Sequence, residues 1–476
     1  MSEHQIEPHL FVIFGATGDL TRRKIIPALY HMLKRAGGVE RSFILGAARR
    51  DWSDEDFKRT AREALSAEGF EGDEMNHWCD HCVGYQSVGD DRDYASLAER
   101  IEAVEEEYGL GGNRVFYLAL PPGAFPPTIT GLGEAGLNEG PGWTRLVIEK
   151  PFGHDLESAQ SLNKLVHSYF DEHQVYRIDH YLGKQTVQNL LAFRFANALF
   201  EPLWNRDRIA RIEVLVAEDL GAGGRIGYYN EAGALRDMIQ NHLTQLFTLI
   251  AMEAPSAFDA DAIRQEKIKV LRSVQALRPE DVVLGQYIRG TVGAAEVPGY
   301  QEEKDAVEGS NTETYVAVRL RVANWRWQGV PFVLRTGKRL PERRTKITVQ
   351  FREAPVALFQ PYTCATHPNS LVIALQPDEG FDLFFEVKTP DEPFRLETQR
   401  FRFRYEEVFG ASFPDAYETL LLDTVQGDQT LFVHGEEVEA SWRLYASLLE
   451  RNTSPHPYPA GSWGPDEADR LLAEQN

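Results

Sequence analysis

The stretch from His9 to Met32 restricts the fold more tightly than any other in this chain. It begins with a short apolar run, HLFVIF, and passes directly into Gly15-Ala16-Thr17-Gly18-Asp19-Leu20-Thr21. Lys24, Ile25, Ile26, Ala28, Leu29 and Met32 then recur at helical spacing. A strand that is apolar on both faces belongs in a parallel sheet covered on both sides. Pro27 falls near the first turn of the helix, where a missing N–H is tolerated. Strand, glycine turn and helix together predict a dinucleotide-binding unit. Gly15 permits the tight turn, Gly18 lets the backbone approach a pyrophosphate, and the helix N-terminus offers unpaired N–H groups to that anion. Thr21 stands where a third small residue is expected, so the three-glycine fingerprint is incomplete.

A second strand, Phe43 to Ala47, runs into Ala48-Arg49-Arg50. A site for NAD usually places an acid near the end of this strand, to bind the ribose hydroxyls. Arginines stand there instead, and a guanidinium fork suits a 2′-phosphate. NADP is therefore the expected cofactor, with NAD a weaker alternative because Asp51 follows closely. Two further strands fit a doubly wound sheet. Val115 to Leu120 stops at Pro121-Pro122, and Arg145 to Ile148 leads into Glu149-Lys150-Pro151-Phe152-Gly153. Ligands of such sheets sit outside the C-terminal ends of the strands, where Lys150 falls. Lys-Pro followed by Phe-Gly reads as a cis turn that aims the lysine into the cleft.

A chain of 476 residues calls for two or three domains, and 43% hydrophobic residues supply large cores. No apolar run reaches the roughly eighteen residues of a membrane span. A net charge of -22 disfavours nucleic acid and anionic membranes as partners. With 3 Cys and no basic, apolar leader over Met1 to Leu10, the expected setting is the reducing cytoplasm. Cys79-Asp80-His81-Cys82, with His77 just before, looks like half a zinc site, and Cys364 with His367 is only a loose second pair. The set is too crowded to close around zinc, so no metal is expected and these are read as partly exposed side chains.

The densest chemistry lies in Arg177-Ile178-Asp179-His180-Tyr181-Leu182-Gly183-Lys184. An acid, an imidazole, a phenol and two cations around one glycine fit a pocket for an anionic ligand beside a proton-transfer group. His180 and Lys184 share a face if the chain is helical there, with Asp179 directed the other way. Ala232 to Met252 reads as one long helix. Leu235, Met238, Ile239, Leu243, Leu246, Leu249 and Ile250 form its apolar arc, and His242 falls within that arc, about 20° from Leu235. A buried imidazole needs partners for both nitrogens. Asp237 lies about 140° from His242 on an ideal wheel, so the orienting acid is expected to come from elsewhere, with Asp179 the candidate.

Together these segments closely resemble the glucose-6-phosphate dehydrogenase family, along the whole chain. The resemblance rests on GATGDL at 15–20, FYLALPP at 116–122, EKPFG at 149–153 and RIDHYLGK at 177–184. It continues through GYYNEAGALRDMIQNHLTQ at 227–245, SNTETYVA at 310–317 and NWRWQGVPFVLRTGKRL at 324–340. It implies oxidation of glucose 6-phosphate to 6-phosphoglucono-1,5-lactone with NADP, the first step of the oxidative pentose phosphate pathway. His242 matches the family's general base, Asp179 the acid that orients it, and Lys150 a lysine between coenzyme and sugar. His180, Tyr181 and Lys184 match the phosphate grip. Glu218, Asp237, Lys338 and Arg343 match groups near the sugar hydroxyls or phosphate. Thr17 and Arg49 match coenzyme contacts, beside Gly15, Gly18, Asp19 and Leu20 of the glycine turn.

The expected architecture is an α/β Rossmann-like, NADP-binding domain over 1–180 and an α+β substrate and dimerisation domain over 181–476. The family pattern for the second is a large, mainly antiparallel sheet, backed by helices near 184–200 and 232–252, in a homodimer or homotetramer. Candidate strands are Ile212 to Ala217, Thr312 to Ala323, Phe332 to Arg335, Ile347 to Phe351 and Leu371 to Gln376. Gly285 to Ser310 reads as a mobile connection. Two rival functions are a dehydrogenase of an unphosphorylated hexose and a coenzyme-binding regulator. The His180-Tyr181-Lys184 group opposes the first, and His242 with Asp179 and Lys150 opposes the second.

Overall fold

Strand β1 (His9–Phe14) shows why the first part of the chain forms a covered sheet. All six of its residues are buried. Phe11 and Ile13 enter one apolar core together with Leu29 and Leu33 of the helix Ile26–Arg35. Leu10, Val12 and Phe14 enter a second core together with Leu97 and Ile101 of the helix Tyr94–Tyr108. Side chains alternate along a strand, so helices are needed on both faces. The other strands are β2 (Ser42–Ala48), β3 (Val83–Ser87), β4 (Arg114–Leu118), β5 (Thr144–Ile148) and β6 (Val175–Arg177). The sheet order is β3-β2-β1-β4-β5-β6, and every pairing is parallel. This is the doubly wound order expected from the glycine turn.

The structure is a computed structural model describing residues 6–89, 93–355, 358, 367–390, 395–410, 414–450 and 453–473. The chain divides into two units. One holds Met1–Gly183, Phe258–Arg264 and Pro414–Glu439; the other holds Lys184–Ala257, Gln265–Phe413 and Ala440–Asn476. A single cut near residue 180 does not describe the return of 414–439 to the first unit. There the helix Ala416–Gln426 sets Leu420, Leu421 and Val425 into the core that holds Phe11 and Ile13. Arg145 anchors the end of that helix, donating from Nη1 to the carbonyls of Thr424 at 2.7 Å and Val425 at 2.6 Å. An amphipathic helix so far along the chain carries no local mark of the core it joins.

The second unit is built on a nine-stranded sheet. Its strands are β7 (Ile209–Ala217), β8 (Val282–Ile288), β11 (Tyr315–Arg321), β12 (Pro331–Gly337), β13 (Arg344–Phe351), β14 (Ser370–Gln376), β15 (Gly380–Lys388), β16 (Leu396–Arg404) and β17 (His456–Pro459). A separate hairpin joins β9 (Gly290–Val292) to β10 (Ala295–Val297). The order is β16-β15-β14-β13-β7-β12-β11-β8-β17. Only β7 with β12 and β8 with β17 pair in parallel, so the sheet is mainly antiparallel. β13 and β14 alternate buried and half-buried residues, as a one-sided sheet requires. The five strands expected from the sequence are all present, with ends shifted by a few residues. Gly285 to Ser310 is more ordered than expected, since it contains part of β8, the hairpin and a short 3-10 turn.

Two helices differ from expectation for identifiable reasons. The first, Gln185–Phe195, ends well before residue 200, because the Asn197 amide donates to the carbonyls of Ala192 and Phe193. The second is not one α-helix over 232–252. Gly233 breaks it with φ 63° and ψ 175°, Leu235–Leu243 forms a π-helix, and α geometry returns at Thr244–Ala251. Asn241 Nδ2 donates to the Arg236 carbonyl at 3.0 Å and Thr244 Oγ1 to the Ile239 carbonyl at 2.6 Å. Both bonds reach five residues back, which supports the wider turn.

Candidate active site

Because all strands of the first unit run the same way, residues just past their C-terminal ends share one edge of the sheet. Gly15, Thr17 and Gly18 follow β1 and Arg49 follows β2. Lys150 follows β5, and Asp179, His180 and Tyr181 follow β6. A cavity of about 620 Å³ opens at this edge, where Gly15, Thr17 and Gly18 meet Arg49, Arg50 and Ala119. Gly15 has φ +84°, and a Cβ there would stand 2.2 Å from the Ala119 carbonyl oxygen. A Cβ on Gly18 would meet only the Gly15 carbonyl oxygen, at 3.0 Å. The first glycine is therefore demanded by close packing, and the second leaves backbone open toward the cavity.

Thr21 explains the incomplete fingerprint. It is buried, and its hydroxyl donates to the Gly15 carbonyl at 3.1 Å, an oxygen that also accepts the Gly18 N–H at 2.9 Å. The turn is closed by a hydrogen bond where a third small residue would have closed it by size. Arg49 and Arg50 are exposed, and the Arg50 guanidinium lies 5.6 Å from the Trp52 ring. An open glycine cradle with two exposed guanidiniums at the neighbouring strand end fits NADP. The other two turn residues lie differently. Asp19 pairs with Arg22 at 3.7 Å and Arg23 at 3.4 Å, and Leu20 packs against the core.

Lys150 is half-buried, and its bond to Pro151 is cis. Its neighbour Glu149, which sequence reasoning did not single out, is buried. Glu149 Oε1 accepts hydroxyl bonds from Tyr117 at 2.7 Å and Tyr417 at 3.2 Å. Burial raises its carboxyl above the usual carboxylate range, against the lowering effect of those hydroxyls. Asp179 is 2% exposed, and its Oδ1 accepts the Tyr181 N–H at 3.0 Å. The Leu182 N–H bonds the Asp179 carbonyl at 2.9 Å. Residues 180–183 are thus a hydrogen-bonded turn, and the helical condition on which His180 and Lys184 would share a face is not met. The side chain of Asp179 takes up a backbone donor and holds the turn. The helix starts at Gln185 with Lys184 as its N-terminal cap residue, and Lys184 opens the second unit. His180 is half-buried, its ring 5.0 Å from that of Tyr181.

In the second unit, Glu218 and Lys338 follow the parallel neighbours β7 and β12. The Lys338 ammonium donates to Glu218 and lies 4.9 Å from the Tyr229 ring. The Tyr228 hydroxyl donates to Asp237 at 3.4 Å. Burial, then the Asp237 and Glu218 charges, hold the Tyr229 phenol well above its ordinary range, so it stays protonated. His242 is 1% exposed, in the π-helix. A turn closed by bonds five residues apart brings residues at that spacing closer in angle than an α-helix does, so the ideal-wheel separation of 140° between Asp237 and His242 does not apply. Glu313, also missed, accepts the Leu235 N–H at 2.9 Å and caps this segment. A Cβ on Gly233 would stand 2.3 Å from that carboxylate. Arg343 is exposed just before β13.

Cys79 and Cys82 are buried, contrary to the partly exposed reading, and burial pushes their thiols up to about 12 and 11. The His77 and His81 rings stack on the exposed side. The thiols face the core because they sit beside Met75 and Trp78 in it. Cys364 lies outside the described residues. No helix among the described residues is long and apolar enough to cross a membrane.

A doubly wound nucleotide fold with a glycine cradle and two guanidiniums past its strand ends is the frame of a pyridine-nucleotide oxidoreductase. The comparisons with known proteins narrow this class: the chain belongs to the glucose-6-phosphate dehydrogenase family. The family's NAD binding domain matches residues 12–189 and its C-terminal domain residues 191–476. The glucose-6-phosphate 1-dehydrogenase of Aggregatibacter actinomycetemcomitans is 45% identical over 97% of this chain and 95% of its own. A solved glucose-6-phosphate dehydrogenase in complex with its substrate glucose-6-phosphate has TM-score 0.91 at 37% identity, over 99% of this chain and 98% of that one. The corresponding enzyme from Mycobacterium avium has TM-score 0.84 at 37% identity, over 98% of both chains.

Proposed function

We propose that this chain oxidises glucose 6-phosphate at C1 to 6-phosphoglucono-1,5-lactone, using NADP. The observation that carries the cofactor assignment is the glycine cradle at Gly15 and Gly18 with Arg49 at the neighbouring strand end. Bound NADP supplies the hydride acceptor. Gly15, Thr17 and Gly18 line its pyrophosphate side, with Asp19 and Leu20 contributing backbone, and Arg49 takes the 2′-phosphate. His242 is assigned the general base that removes the C1 hydroxyl proton as the hydride leaves. Asp179 is assigned the orienting acid that stabilises the imidazolium. Lys150 is placed between coenzyme and sugar. His180, Tyr181 and Lys184 grip the phosphate, which supplies binding and orientation energy remote from C1. Glu218, Asp237, Lys338 and Arg343 are assigned to the sugar hydroxyls and phosphate.

Initial rates with glucose 6-phosphate and with glucose, each with NADP and NAD, test this reading. Turnover far more efficient with the phosphate ester than with glucose, and faster with NADP, is the expected result. Turnover of glucose alone would move the chain to another sugar dehydrogenase, and coenzyme binding without turnover would favour a regulator.

The cytoplasm is the proposed setting, supported by the sparse cysteines. The domain roles proposed are coenzyme binding for 1–180 and substrate binding with dimerisation for 181–476. A homodimer or homotetramer formed through the large sheet is supported by Phe401 of β16, 65% exposed, and by exposed Val387 on β15. Phe401→Glu is expected to lower the sedimenting mass to that of a smaller assembly; an unchanged mass would remove this strand from the interface.

A further inference from the structure

Glu303 lies among exposed neighbours in the segment 301–309, yet its side chain is only 6% exposed. An acid hidden within an exposed loop needs partners for both oxygens. Its Oε1 accepts the Tyr287 hydroxyl at 2.5 Å and lies 3.7 Å from the Arg339 guanidinium. Its Oε2 accepts the Gly223 N–H at 2.7 Å. The Tyr287 oxygen in turn accepts the Ala222 N–H at 3.1 Å. One carboxylate therefore gathers the 222–223 backbone, a tyrosine of β8 and Arg339.

Two loops meet at this carboxylate. The first runs from Glu218 to Gly223 after β7, and the second from Gly337 to Leu340 at the end of β12. Their backbones are joined directly: Glu218 N–H to the Gly337 carbonyl at 3.0 Å, Leu340 N–H to the Glu218 carbonyl at 2.9 Å, and Arg339 N–H to the Leu220 carbonyl at 3.2 Å. Arg339 has φ +53°, a left-handed conformation disfavoured for a residue with a side chain. A Cβ on Gly221 would stand 2.4 Å from Glu303 Oε1 and 2.7 Å from Arg339 Nε, so the loop closes tightly on the pair.

We infer that Glu303 is a positioning residue for the sugar side of the site, clamping the loops that present Glu218 and Lys338. The inference rests on the assignment of Glu218 and Lys338 to the substrate. Glu303 is assigned no contact with substrate or coenzyme; it acts through the loop backbones and through Arg339, which adjoins Lys338. Losing the clamp leaves the direct backbone bonds between the loops in place but loosens 219–223 and Arg339 around them, and that costs binding of the sugar while leaving the nucleotide side intact.

Glu303→Gln and Tyr287→Phe test this, the first weakening the clamp at its charge and the second at one hydroxyl. In Glu303→Gln the KM for glucose 6-phosphate is expected to rise about tenfold, the scale of one charge-assisted hydrogen bond, with the KM for NADP and kcat within about twofold. Tyr287→Phe is expected to shift the same KM by a smaller factor, and it carries the test where Glu303→Gln fails to fold. An unchanged sugar KM in both variants, or a parallel rise in the KM for NADP, overturns the proposal. Hydrogen–deuterium exchange over 219–223 reads the clamp without reference to substrate, and both variants are expected to exchange faster there. Unchanged exchange overturns the clamp whatever the kinetics. Faster exchange in a chain whose wild type does not turn over glucose 6-phosphate upholds the clamp and defeats the substrate assignment instead.

Discussion

Replacing His242 by Asn is expected to lower turnover of glucose 6-phosphate by about 10²–10⁴-fold, the usual worth of a positioned general base. Asparagine keeps a polar side chain of similar reach but cannot take up a proton at neutral pH. The buried position and the π-helix that frames it are therefore preserved, while the proton acceptor is lost. The sugar phosphate is assigned to other residues, so the KM for glucose 6-phosphate is expected to stay within a few-fold. Steady-state kinetics separate the two quantities. A kcat within about tenfold of wild type would remove His242 from the chemistry. A collapse of kcat with a lowered melting temperature would instead point to damage in the segment that Glu313 caps.

His242 also shows how far its surroundings were legible in the sequence. Its burial followed from the apolar arc, because Leu235, Ile239 and Leu246 fix which side of the segment faces the core. The geometry around it did not follow, because a wheel assumes one period throughout. The π-helix is supported by side chains that bond carbonyls five residues back, and it follows a glycine whose missing Cβ makes room for Glu313, 80 residues later in the chain. The same limit explains Thr21. Its place in the glycine turn was visible, but the bond that makes it suitable depends on the path of the backbone.

Local patterns read well where one element decides the outcome. The fully buried β1 and the alternating β13 and β14 follow from hydrophobic period alone. The arginines after β2 are another such feature, since strand end and residue type are both local. What resisted reading was placement by distant partners. Glu149 is set by Tyr117 and by Tyr417, which returns from far along the chain. Whether His180 and Lys184 share a helical face depended on a helix that Asp179 replaces with a turn, by bonding the Tyr181 backbone. Spacing reveals which residues can share a face, and hydrogen bonds decide whether the face exists.

The phosphate grip yields the second large effect. In His180→Asn the KM for glucose 6-phosphate is expected to rise about 10- to 150-fold, the equivalent of the roughly 1.5–3 kcal/mol carried by a hydrogen bond to a charged group. His180 is a better probe than Lys184. Lys184 lowers the carboxyl of Glu379, which burial otherwise raises, so removing the lysine would also disturb an acid in the same unit. The turn that holds His180 is made by Asp179 with the backbone of Tyr181 and Leu182, and asparagine at 180 leaves those bonds in place. Glucose supplies the internal control, because a substrate without phosphate has nothing for His180 to grip. The ratio of kcat/KM for glucose 6-phosphate to that for glucose should therefore fall by the same factor. If both substrates lose equally, His180 acts on the sugar ring or on the fold, and the anion site must be sought elsewhere.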